Sequence, residues 1–90
     1  MPDLPPRGII REHEFEEQLF ALFGDVERAD KFTAAAEDLL ARLPESGVPC
    51  EPSGAIWYLP MSPVGNYRVS LFYIFDEHSV VFLAILPFDN

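Results

Sequence analysis

The side chains in this 90-residue chain whose types could do chemistry are two histidines, one cysteine and a run of glutamates. Glu12-His13-Glu14 has the residue types of a metal site, and Glu12, Glu14, Glu16 and Glu17 have those of a catalytic carboxylate pair. The spacing argues against both. Adjacent residues on a helix point to different sides and do not converge on one ion, and a solvated helix start accounts for the glutamates. His78 sits in a polar break between two apolar runs and is read as solvent-facing. Cys50 has no cation or histidine near it in sequence to lower its thiol pKa, so it is read as a loop or edge thiol. There is no Gly-rich phosphate loop, and no Ser-His-Asp arrangement can be picked out. Neither a metal nor a cofactor is expected. What remains is Arg68, the only basic residue after Arg42, set inside the aromatic run Tyr67-Arg68-Val69-Ser70-Leu71-Phe72-Tyr73-Ile74-Phe75.

That run and Val80–Leu86 flank Asp76-Glu77-His78-Ser79, the pattern of a β-hairpin. Alternation puts Tyr67, Val69, Leu71, Tyr73 and Phe75 on one face, assigned to the core, and Arg68, Ser70, Phe72 and Ile74 on the other. The second run is apolar on both faces, as in a central strand or one with a partner on its far side. The earlier segments must cover the hairpin. Residues 1–8 carry three prolines and a glycine and are read as a flexible tail. Ile9-Ile10-Arg11 reads as a short edge strand. Glu12–Phe23 reads as an amphipathic helix through Phe15, Leu19, Leu22 and Phe23, with Val26 beyond it. Gly24 is placed at its left-handed end, and Asp25 caps a second helix over Val26–Leu43. The apolar stripe of that helix is Ala29, Phe32, Ala36, Leu39, Leu40 and Leu43, with Glu27–Lys31 and Asp38–Arg42 as i,i+4 pairs. Pro44 and Ser46-Gly47 stop it. Ala55–Leu59 reads as a strand, ended by Pro60 and Pro63. The expected order is β-α-α-β-β-β. It makes one α+β domain over residues 9–90, with a helical hairpin on one face of a small, mainly antiparallel sheet of three to four strands.

The formal charge of −9, from 15 acids and six bases, opposes binding to phosphate backbones and leaves direct nucleic-acid binding disfavoured. No apolar run approaches the ~20 residues needed to span a bilayer, and the N-terminus shows no apolar signal core. With one cysteine, a cytoplasmic chain is expected.

Leu39-Leu40-Ala41-Arg42-Leu43-Pro44-Glu45-Ser46-Gly47 ends the second helix. It is followed by Gly65-Asn66-Tyr67-Arg68-Val69-Ser70-Leu71-Phe72-Tyr73, then Asp76-Glu77 and the apolar strand Val80–Leu86. This order and spacing, over Ile9 to Leu86, resembles the RelE/ParE toxin superfamily of bacterial type II toxin–antitoxin systems. The resemblance implies a sheet whose concave face, opposite the helices, does the work. It also implies an antitoxin partner wrapped over the toxin. In the RNase branch basic strand residues grip and help cleave messenger RNA; in the gyrase-directed branch the target is a protein.

Of the residues that the RNase branch would use, only Arg68 carries over. Where that branch places lysines, this chain has Ile56-Trp57-Tyr58-Leu59, and where it ends on a basic residue and a tyrosine, this chain ends Pro87-Phe88-Asp89-Asn90. Loss of those cations removes phosphate attraction and transition-state stabilisation. The expectation is a divergent, toxin-like protein that acts through protein binding, with Trp57, Tyr58, Arg68, Ser70 and Phe72 as the contact. Arg68 is the position on which any catalytic role would rest. Two alternatives stand beside it: a non-toxic homologue that self-associates as a homodimer, and a residual ribosome-dependent mRNA endonuclease.

Overall fold

The computed structural model describes residues 6–50 and 54–89. The chain runs β1 (Gly8–Arg11), α1 (His13–Phe23), α2 (Val26–Arg42), a 3-10 turn (Pro44–Ser46), β2 (Val48–Pro49), β3 (Trp57–Val64), β4 (Tyr67–Phe75) and β5 (Ser79–Asp89). Among the described residues the strands form one sheet in the order β1-β5-β4-β3-β2. β1 pairs parallel to β5, and the other pairs are antiparallel. The α+β class and the helical hairpin agree with the sequence reading; the sheet has five strands instead of three or four.

Each local stop has a physical cause. Gly24 takes φ +66°, a conformation open to a residue without Cβ, and its N–H bonds Phe20 O at 2.6 Å. The Asp25 carboxylate accepts from Glu27 N at 2.9 Å and caps α2. The Glu27–Lys31 and Asp38–Arg42 pairs form on its exposed side. Beyond Leu43, Pro44 and Glu45-Ser46 make one tight turn, pinned to the sheet by Tyr73. The Tyr73 hydroxyl donates to Pro44 O at 2.6 Å and accepts from Gly47 N at 3.1 Å. Burial holds the Tyr73 hydroxyl above the usual phenol range, so it stays protonated as the donor. Gly47 must be glycine for a steric reason: a Cβ there would run into Tyr58 O and the Tyr73 hydroxyl.

The core lies between the helices and one face of the sheet. Phe15, Leu19, Ala29, Ala36 and Leu40 meet Val69, Leu71, Tyr73, Val80, Phe82 and Ile85. Phe15 and Phe82 pack at 5.2 Å between ring centroids. The α2 stripe differs in part from the expected one. Leu39 and Leu43 are exposed, and Thr33 is fully buried instead. Its hydroxyl is within 3.3 Å of Ala29 O and receives Arg11 at 3.1 Å. Arg11 ties β1 to α2 through Glu37 at 3.0 Å and Asp30 at 3.3 Å. Burial works against its charge, but the bonds and fields of the two carboxylates outweigh that and raise its pKa.

Three strand boundaries depart from the sequence reading. β3 continues through Pro60 and Pro63 to Val64, because it lies outermost beyond the short β2 and needs no N–H on its free side. β5 runs through Pro87 to Asp89, where it is also an edge past the end of β1. β2 is an additional strand that the expected order lacks. It is held by Val48 and Pro49 opposite Tyr58 and Trp57, and by Cys50 N to Ile56 O at 2.8 Å. Of the tail assigned to residues 1–8, the first five lie outside the described residues; Arg7 N bonds Ala41 O at 2.9 Å and Gly8 opens β1.

Candidate functional site

The strand register defines a second sheet face that no described helix covers. It carries Tyr58 and Pro60 from β3, and Arg68, Ser70, Phe72 and Ile74 from β4. Val81, Ala84, Leu86 and Phe88 come from β5, with Val48 and Ile10 at the two edges. A bulge at Leu83, opposite the Phe72–Tyr73 step, keeps this alternation in phase. It turns Phe82 and Ile85 to the core, while Ala84 and Leu86 join the open face. The Ile85 N–H at the bulge is satisfied by Gln18 Oε1 of α1 at 2.9 Å.

Ile10, Val48 and Phe88 are 49%, 43% and 42% exposed. Across the middle of the face runs an aromatic row, Tyr58–Phe72–Phe88, with centroid separations of 6.1 and 6.4 Å. Arg68 pairs with Phe88 in the register and is exposed. It forms no ion pair with any described side chain. Asp76 and Glu77 sit past the opposite end of β4. The Asp76 carboxylate accepts the backbone N–H of His78 and of Ser79, each at 2.8 Å. Those two bonds hold its pKa below the usual carboxylate range.

Tyr58, Arg68, Ser70 and Phe72 therefore share one face, as read from alternation. Trp57 does not join them. It pairs with Tyr73, packs edge-on against Phe75 at 5.5 Å on the helix side, and donates from Nε1 to Gly54 O at 2.8 Å. The sequence reading missed Phe88 and Val48 as members of the face. Phe88 lies beyond the apolar run Val80–Leu86 read as the strand, and Val48 lies in a Pro/Gly-rich stretch too short to show a period.

The other chemistry-bearing residues stay apart. His13 is exposed and within 2.8 Å of Glu17, and His78 is exposed in the β4–β5 turn. Cys50 is exposed. No cluster of three or more potential metal ligands occurs among the described residues. A groove of about 440 Å³ at the end of α2 is lined by Arg7, Arg42 and the 43–46 turn. Both its cations are engaged, Arg7 with Asp76 O at 2.7 Å and Arg42 with Asp38 at 3.3 Å. No described helix is long and apolar enough to cross a membrane.

Helical hairpin below, five-stranded mixed sheet above and an uncovered apolar face define the class of fold. The same fold is found in a chain of the crystal structure of the toxin–antitoxin complex RelBE2 from Mycobacterium tuberculosis. The two superpose with a TM-score of 0.68 at 21% identity, over 100% of each chain. The fold implied by the resemblance to RelE/ParE toxins is thus the fold observed. No protein-family model matches the chain, and no curated protein does.

Proposed function

We propose that this chain is a RelE/ParE-like component of a toxin–antitoxin pair that acts by binding protein. Its open sheet face carries the contact with an antitoxin and, when free, with a protein target such as gyrase. The observation that carries this reading is the composition of the face. An apolar surface with an aromatic row at its centre matches the core of a protein interface. Phosphodiester cleavage calls for a general acid or base and several cations around the phosphate. The described residues of this face provide one arginine, one tyrosine and the hydroxyls of Ser70 and Ser79, and its strands bring no histidine, lysine or carboxylate to it. The fold shared with a chain of a toxin–antitoxin complex supports the toxin–antitoxin part of this reading.

The test is growth of a bacterial host after induction of this chain alone and together with the product of its adjacent open reading frame. Arrest relieved by the neighbour is the expected result. Labelling of protein and DNA synthesis then separates ribosome from gyrase. No arrest from soluble, folded protein contradicts the toxin reading. An Arg68→Ala variant that still arrests growth excludes a residual RNase centred on Arg68. The exposed apolar face also fits self-association, and a chain that is monomeric at high concentration excludes that reading.

A further inference from the structure

We infer that the chain, when alone, pairs with a second copy of itself through the open sheet face, with β4 of the two copies antiparallel and Arg68 of each meeting the Asp76-Glu77 turn of the other. The inference goes beyond the protein-binding reading above and does not require it. Its basis is the placement of charge along β4. One end of the strand carries Arg68, which is exposed and forms no ion pair with a described side chain. The other end runs into Asp76 and Glu77, both exposed. Arg68 and Asp76 stand four residues to either side of Phe72, the middle of the aromatic row.

A face can stack on its own copy with two-fold symmetry in two ways. With the axis along β4, Arg68 lies over Arg68, and two like charges are covered without a counter-charge, which is strongly unfavourable. With the axis across the strands at Phe72, β4 runs over its copy in the opposite direction. Phe72 then lies on Phe72, Ser70 over Ile74, and Arg68 over position 76, about 13 Å from the axis. Sheets packed face to face lie about 10 Å apart and are turned by about 30°, which displaces facing positions by about 7 Å at that distance from the axis. The gap is within the combined reach of an arginine and a glutamate side chain. The Asp76 carboxylate already accepts from His78 N and Ser79 N. Glu77 forms no ion pair with a described side chain and is the acid available to the arginine. The net charge of −9 per copy opposes association, but the helices and their caps, on the far side of the sheet, carry most of the acids. Tyr58, Phe72 and Phe88 supply the aromatic centre that protein interfaces favour. The chain thereby covers its own contact surface, and a protein partner must displace the second copy.

The test is sedimentation of the full chain from about 1 µM to about 1 mM, where a monomer–dimer equilibrium is expected. Arg68→Glu and Glu77→Arg, each checked as folded by circular dichroism, are each expected to raise the dimer dissociation constant at least about thirtyfold, because each sets like charges against one another at two symmetric contacts. Combining the two substitutions is expected to recover at least about tenfold. In a mixture of labelled and unlabelled chain, isotope-filtered NOEs are expected from the Ile74 methyls to Ser70 and Phe72 of the other copy. A monomer at about 1 mM overturns the inference and leaves the protein-binding reading standing. So does a dimer whose filtered NOEs join the helices, or one whose dissociation constant changes less than about threefold in both single variants.

Discussion

Phe72 and Tyr73 are neighbours on β4, yet they belong to different surfaces. Tyr73 is fully buried, packed near Phe75 and bonded through its hydroxyl to the turn that ends α2. Phe72 lies on the open face between Tyr58 and Phe88. One strand, read with period two, serves both. The helix-side face is closed by side chains from its own chain, and its losses are losses of folding. The open face is apolar as well, but α1 and α2 leave it uncovered. Hydrophobicity alone therefore does not distinguish core from contact surface here; the presence or absence of a covering element does.

The largest expected difference is in truncation. Phe82→Ala removes a fully buried ring that packs on Phe15 and is expected to cost about 3–5 kcal/mol in urea unfolding. Ile74→Ala, on the open face, is expected to cost under about 1 kcal/mol. Equal losses would abolish the distinction between the faces. Gly47→Ala is next, at about 1–3 kcal/mol, because its Cβ forces Tyr58 and Tyr73 to move; an unchanged midpoint would mean that the turn yields freely. Tyr73→Phe keeps the ring and removes the hydroxyl that Pro44 O and Gly47 N share. It is expected to lose about 1–2 kcal/mol, which separates that tie from ring packing. Gln18→Ala leaves the Ile85 N–H at the bulge without its partner and is expected to cost about 1 kcal/mol.

The smallest effect is that of pH at the β4–β5 turn. The folded-state pKa of Asp76 is depressed, so its contribution is present above the unfolded value and is lost as pH falls through the folded value. Asp76→Asn is expected to remove part of the acid sensitivity of stability and to leave the neutral-pH midpoint nearly unchanged, since the group is fully exposed.

Much of this arrangement was legible in the sequence, for identifiable reasons. Alternation in Tyr67–Phe75 is long and strict, so the division of β4 into two faces followed from it. Gly24-Asp25 is strong punctuation, and the helical hairpin followed from that. The strand ends were less legible: β3 passes Pro60 and Pro63, read as its stop, and β5 passes Pro87, beyond the apolar run read as the strand, because both lie on edges where a missing N–H is harmless. Trp57 was grouped with Tyr58 as a neighbour in sequence, although adjacent strand residues point to opposite faces. The bulge at Leu83 has no signature in an unbroken apolar run, and so the membership of Leu86 and Phe88 had to come from the register. Thr33 and Arg11 meet only in three dimensions.

The central claim is that the open face, and not the helix layer, binds protein. Methyl-resolved NMR of the full chain, titrated with the product of the adjacent open reading frame, tests it most directly. Ile10, Ile74, Val81 and Leu86 report the open face; Val26, Leu39 and Leu43 report exposed positions on and beside the helices. The prediction is large shifts or broadening in the first group with the second group quiet. Shifts confined to the second group, with the sheet-face methyls unmoved, would contradict it.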